Sequence, residues 1–301
     1  MDDDNDQVIV RTSVPVDKKI RLEEHHTSWK DCDELKLNGL RLTKENSDKI
    51  LEQSREGLEK VQELFWAENS YSMLIILQGM DAAGKDSIIE HVMSGVNPQG
   101  CEVTEFRVPS ERELNHDFMW RCYNALPERG KIGIFNRSYY EEVLVVKVHP
   151  ELLDKQKLPD RKDLKKLWKD RYESINDIER HLVRNGTVIL KFFLNESREE
   201  QKQRFLDRLN DPNKMWKFNP ADVTERDHWD DYMKAYEEML GGTNTKAAPW
   251  YIIPADQKWL SRTLVSHIIT RTIESLDIHY PKPSEETMKA LDEAKSKLNK
   301  E

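Results

Sequence analysis

The chain has 301 residues, of which 37% are hydrophobic and 34% charged, and its net charge is −9. That length suits one large domain or two small ones, and the acidic balance argues against a protein that grips nucleic acid through its overall field. Three cysteines without C-x-x-C spacing (Cys32, Cys101, Cys122), an acidic start unlike a signal peptide, and the lack of a bilayer-length apolar run predict a cytoplasmic protein without a disulfide framework or membrane partner.

Residues 1–20 are acidic and aperiodic, and read as a flexible lead-in. From Ser47 to Asn69, Ile50, Leu51, Leu58, Val61, Leu64 and Phe65 mark one face of an amphipathic helix. Ser72 to Gln78 is apolar nearly throughout, as expected of a central parallel strand buried on both faces. It leads into LIILQGMDAAGKDS (Leu74 to Ser87), where Gly79, Gly84 and Lys85 fit the phosphate-loop pattern G-x-x-x-x-G-K. A helix then runs through Ile88, Ile89, Val92 and Met93. A strand over Glu102 to Val108 follows, then a helix carrying Leu114, Phe118, Met119, Cys122 and Leu126.

Lys131 to Phe135, Thr187 to Leu194 and Trp250 to Ile253 supply further buried strands, separated by helical sequence. The alternation predicts an α/β protein, a three-layer α/β/α fold with a central parallel sheet and an extra N-terminal helix. Ligands in such sheets gather at the carboxyl ends of the strands. Pro150 to Asp170 reads as an exposed charged insertion, and 209–245 as a polar helical lid. The chain thus divides into the lead-in, one phosphate-loop domain over 21–280, and a charged tail over 281–301.

Backbone N–H groups of Gly79, Ala82, Ala83, Gly84, Lys85, Asp86 and Ser87 would cradle phosphate oxygens, with Lys85 adding a point charge. Asp86 occupies the place where such loops usually carry Ser or Thr, and Asp81 lies inside the loop. Two uncompensated carboxylates would repel the anion that the loop attracts. A divalent cation on Asp81 and Asp86, Mg²⁺ or in its place Mn²⁺, resolves the conflict. At the end of the 131–135 strand, Asn136 is followed by Arg137, whose fork suits phosphoryl oxygens, and Glu141 should face the same cleft. Arg198, Arg204 and Arg208 form a basic track before the lid, suited to a polyanion. The histidines show no metal spacing.

GMDAAGKDS (79–87), VNPQGC (96–101), HDFMWR (116–121) and FNRSYYEEVLVVKVHPE (135–151) together resemble the polyphosphate kinase 2 family, as do the lid stretch WKFNPADVTERDHWDDYMKAYEEML and APWYIIPADQKW. The resemblance covers about residues 20 to 280 and several motifs at once. It implies a thymidylate kinase-like core that moves the terminal phosphoryl group between inorganic polyphosphate and AMP or ADP, reversibly and with Mg²⁺. Asp81, Lys85 and Arg137 then take the family's catalytic places, with Asp117, Asn136, Arg137 and Glu141 toward the nucleotide. Asn136 and the Tyr139-Tyr140-Glu141 run resemble the branch that accepts both AMP and ADP. The family's habit also implies a homodimer or homotetramer. Two other readings share the residues: an ATP-dependent nucleoside or nucleoside monophosphate kinase, and a nucleotide-binding regulator without turnover.

Overall fold

The computed structural model describes residues 6–16, 18–29, 35–37, 39–159 and 163–300; Cys32 lies outside them. Its centre is a five-stranded parallel sheet built from β1 (Ser72–Gly79), β2 (Cys101–Glu105), β3 (Ile132–Asn136), β4 (Thr187–Asn195) and β5 (Trp250–Pro254), in the order β2-β3-β1-β4-β5. Every residue of β1, β3 and β5 is buried. That is why these strands read as unbroken apolar runs and not as alternating ones.

The two-residue strand period sorts those side chains onto opposite faces. Met73, Ile75 and Leu77 join Leu190, Phe192 and Ile253 against α2 (Ser47–Glu68), α3 (Lys85–Val92) and the helix Lys258–Glu274. Leu74 and Ile76 join Phe135, Ile189, Phe193, Trp250 and Ile252 on the other face, under α4 (Leu164–Arg184) and the helix Trp229–Thr243. The result is the three-layer α/β/α arrangement. Register brings Leu77 beside Asn136 and Asn195 beside Pro254, so the loops after β1, β3, β4 and β5 emerge at one edge.

Four local expectations are corrected. The lead-in is helical over α1 (Gln7–Thr12), because Asp6 caps it by accepting from Val8 N and Ile9 N, and Val8 is buried. The helix expected around 114–126 is two short ones, Glu111–Leu114 and Trp120–Tyr123, with the Asp117 side chain turning the chain between them. Leu153 and Trp168 are buried, so the charged stretch after Pro150 is anchored at both ends of its described part. Finally, only the first part of the lid region is exposed: α5 (Arg198–Asn210) leads to α6 (Pro220–Glu225), but α7 (Trp229–Thr243) buries Tyr232, Ala235, Tyr236, Met239 and Leu240 in the core. That spacing is a helix core face. The last helices are α8 (Lys258–Glu274), which buries Leu260, Leu264, Val265, Ile268, Ile269 and Ile273, and α9 (Glu285–Leu298), wholly exposed.

Among the described residues no helix is long and apolar enough to cross a membrane. Cys101 and Cys122 are free thiols, each pushed up to about 12 by burial.

Candidate active site

The loop between β1 and α3 opens on Gly79, where an added Cβ would come within 3.1 Å of Ala83 and of Leu194 on the neighbouring strand. Gly84, at φ +104°, supplies the left-handed turn into α3. Ala82 adopts φ +70° without being glycine, so the loop holds some backbone strain. Gly84, the N-cap of α3, has no side chain to cap it, which leaves the first-turn N–H groups facing the loop.

Lys85 is buried, and its Nζ donates to the Gly79 carbonyl at 2.6 Å and the Met80 carbonyl at 3.0 Å. Burial and then the nearby Arg137 pull its pKa down, against Asp81, Glu141 and Glu196. Arg137, at φ +63°, reaches back from the end of β3 and donates through Nη2 to Asp81 Oδ1 at 2.6 Å. Asn136 donates to Asp86 Oδ1 at 2.7 Å. Glu141 lies in the same group: with the Gln78 amide oriented to satisfy both of its ends, its nitrogen donates to Glu141 Oε1 at 3.0 Å while its oxygen accepts from Ser138. Burial raises the pKa of Glu141, with Arg137 and Lys85 opposing.

The sequence argument treated Asp81 and Asp86 as uncompensated carboxylates; each has a partner within the protein. Among the described residues no group of three or more His, Cys, Asp or Glu is placed to hold a metal ion. A hard cation here would take at most two protein carboxylates and complete its shell with phosphate oxygens and water. That is how Mg²⁺ is usually held in kinases. Asp81 and Asp86 fit that donor set.

The basic track separates into three roles. Arg204 is buried, and its five N–H groups make five hydrogen bonds: Nε to Glu200, Nη1 to the Ala82 carbonyl and Glu196, and Nη2 to the Ala255 and Asp256 carbonyls. Its expected role as a phosphate ligand is therefore corrected: it braces the loop and has no donor left over. Arg198 is exposed and donates to the Arg226 carbonyl. Arg208 is half-buried over the Phe205 ring; burial and then the Asp81 charge raise the pKa of Asp222, and Arg208 opposes them. Asp117 is used locally, accepting from Met119 N, and the charge it faces is Arg171.

Several residues of the site were not singled out in the sequence. Gln201 donates to the Asp81 carbonyl at 2.9 Å and accepts from Arg226 at 2.7 Å, so it links the lid to the loop. Glu196 Oε1 meets Arg204 while Oε2 is buried without a partner among the described residues, and burial pushes its pKa up to about 8. Its place directly after Asn195, at the end of β4, was the available signal. Arg262 donates to Ser87 Oγ from α8 at 2.7 Å, which nothing in local sequence announces.

A sequence model described as Polyphosphate kinase 2 matches residues 41–281. The chain is 49% identical over 259 residues to an ADP-polyphosphate phosphotransferase of Rhodopseudomonas palustris, covering 86% of this chain and 90% of that one. It is 47% identical over 226 residues to an AMP/ADP-polyphosphate phosphotransferase of Meiothermus ruber, covering 75% and 80%. The crystal structure of polyphosphate kinase 2 from Arthrobacter aurescens TC1 superposes with a TM-score of 0.79 at 33% identity, over 93% of this chain and 98% of that one. A loop that gathers Asp81, Lys85 and Arg137 at the sheet edge accords with these likenesses, and the chain belongs to the polyphosphate kinase 2 family.

Proposed function

We propose that this chain transfers the terminal phosphoryl group of inorganic polyphosphate to AMP or ADP, and runs the reaction in reverse when nucleotide is in excess. The observation that carries the reading is the convergence of Lys85, Arg137 and Asp81 where β1 and β3 end. Relatives named for ADP and for AMP/ADP as acceptors support the choice of substrates.

The chemistry needs alignment and charge neutralisation more than covalent help. The loop N–H groups and Lys85 hold the transferred phosphoryl group, and Arg137 meets its oxygens from the opposite wall. The attacking oxygen belongs to a nucleotide phosphate that is already ionised, so no base is required to activate it. Asp81 sets the orientation of Arg137 through their 2.6 Å contact. Mg²⁺ held by Asp81 and Asp86 would supply neutralisation of the phosphate oxygens on donor and acceptor. We place the reaction in the cytoplasm and read the enzyme as a homodimer or homotetramer, the latter supported by the exposed Met288, Leu291 and Leu298 on α9.

The test is direct. Purified protein is given Mg²⁺, AMP or ADP, and long-chain polyphosphate in place of ATP. Formation of ADP or ATP is expected, and no nucleotide product under these conditions overturns the reading.

A further inference from the structure

Between the sheet and the helices α4 and α7, on the face away from α3, the chain buries a complete ion pair. Lys191 of β4 and Glu179 of α4 are 0% and 1% exposed, and Lys191 Nζ donates to Glu179 Oε2 at 2.6 Å. The amine's other two N–H groups meet the Tyr140 hydroxyl at 3.0 Å and the Thr243 carbonyl at 2.7 Å. Glu179 Oε1 accepts from two consecutive hydroxyls, Tyr139 at 2.8 Å and Tyr140 at 2.7 Å. Burial and then the Glu179 charge hold both phenols well above the ordinary tyrosine range, which keeps them donors. A pair buried this deeply is a poor source of stability compared with apolar side chains of the same volume. A fully satisfied network does, however, make its surroundings rigid.

What it makes rigid is the turn that carries Arg137. Tyr139 and Tyr140 open the 3₁₀ turn Tyr139–Val143, which begins just after Arg137. Arg137 keeps a left-handed φ of +63°, a conformation that a non-glycine residue holds only where its surroundings impose it. On the site side the imposing contacts come from β1. Arg137 N donates to the Leu77 carbonyl at 3.2 Å, and Ser138 is bound to Gln78. Ser138 Oγ also accepts from Tyr140 N at 3.2 Å, which joins this half of the turn to the next. On the other side Glu179 takes both tyrosine hydroxyls. The strained residue is thus held between β1 and α4, and its guanidinium lands on Asp81.

We propose that Glu179 and Lys191 are positioning residues of the phosphoryl-transfer site: through the Tyr139 and Tyr140 hydroxyls they fix the turn that aims Arg137 at the transferred phosphoryl group. The inference rests on the functional reading above and deepens it. Both residues are sealed from solvent, so they act through the turn and not on the substrate. Small displacements of a group that meets the reacting atoms are costly in rate, which gives the arrangement its purpose.

The variant Tyr139→Phe/Tyr140→Phe keeps both rings and deletes both hydroxyls. With long-chain polyphosphate and ADP, its kcat should fall about tenfold while KM for each substrate stays within about twofold. In an Arg137→Ala background the same two changes should lower kcat by less than about twofold further, because the group they misplace is gone. A merely structural role lowers kcat by the same factor in both backgrounds, and that result overturns the proposal. An unchanged kcat, or a rise in KM alone, overturns it too. Where the double variant does not fold, Tyr139→Phe carries the same test, since Glu179 then keeps Tyr140 and Lys191. A crystal structure of the variant reads the placement without turnover. Arg137 should be parted from Asp81 or spread over several conformers, and Arg137 in its parental place overturns the proposal. A parent without polyphosphate activity removes the functional reading, and a displaced Arg137 in the variant then still upholds the positioning role.

Discussion

Arg137 and Asp81 meet at 2.6 Å across the ends of two adjacent strands, although 56 positions separate them in the chain. Both are partly open to solvent, at 40% and 32% side-chain exposure. Screening limits what such a pair adds to folding, to about 0–1 kcal/mol. The contact therefore serves the placement of a charged fork more than stability.

This separates two measurements. Asp81→Asn, Arg137→Lys and Lys85→Met should each lower kcat/KM by roughly 10²–10³-fold, the scale of removing one charge-stabilising group. For Asp81→Asn and Arg137→Lys, unfolding free energies in urea should move by less than about 1 kcal/mol. A large stability loss in those two would make the pair structural instead.

Arg204 should behave in the opposite way. Arg204→Ala leaves Glu196, Glu200 and three backbone carbonyls without their donor, so a stability loss of about 3 kcal/mol or more is expected, the scale of several buried acceptors left unsatisfied. Arg208→Ala on the same helix should leave stability within about 0.5 kcal/mol. Urea unfolding of the two variants side by side checks this.

Glu196 gives a pH signature. Its pKa is pushed from the ordinary 4.5 to about 8 by burial, so the folded protein holds a proton there that the unfolded chain has released. Its contribution to stability is full below pH 4.5 and declines as pH rises through about 8. Glu196→Gln, which mimics the protonated form, should flatten the pH dependence of unfolding free energy between those limits. Parallel curves for the two proteins would mean that Glu196 is ionised across the range.

On the far face of the sheet, Lys191 and Glu179 form a buried pair at 2.6 Å, with Tyr139, Tyr140 and the Thr243 carbonyl completing the network. Lys191→Met alone leaves a buried carboxylate and should cost about 3–5 kcal/mol. Adding Glu179→Gln should restore part of that loss. Thermal unfolding of the single and double variants measures the coupling.

The strands were legible because each is an unbroken apolar run, and the phosphate loop because its glycines and lysine are contiguous. Lys85, Asp81 and Arg137 followed from that local grammar. Arg204 could not be placed in this way, because its partners Ala82 and Ala255 stand 122 and 51 positions away. An arginine on a basic helix face looks the same in sequence whether its donors meet a ligand or the protein's own carbonyls. The burial of α7 was legible in the spacing of Tyr232, Tyr236, Met239 and Leu240, but the surrounding charge drew attention to a lid.

By fastening Ala82 to Ala255 and Asp256, Arg204 makes three distant stretches of chain move as one solid piece. Any swing of the segment between α5 and α7 is then a motion against a fixed floor. The exposed Arg198–Arg226 contacts can open while the cradle under the phosphates keeps its shape. In hydrogen exchange, the amides around Ala82 and Ala255 should share one slow opening rate, and those of 211–228 should exchange ahead of them. Such a protein would hold its donor geometry through each cycle of admission and release.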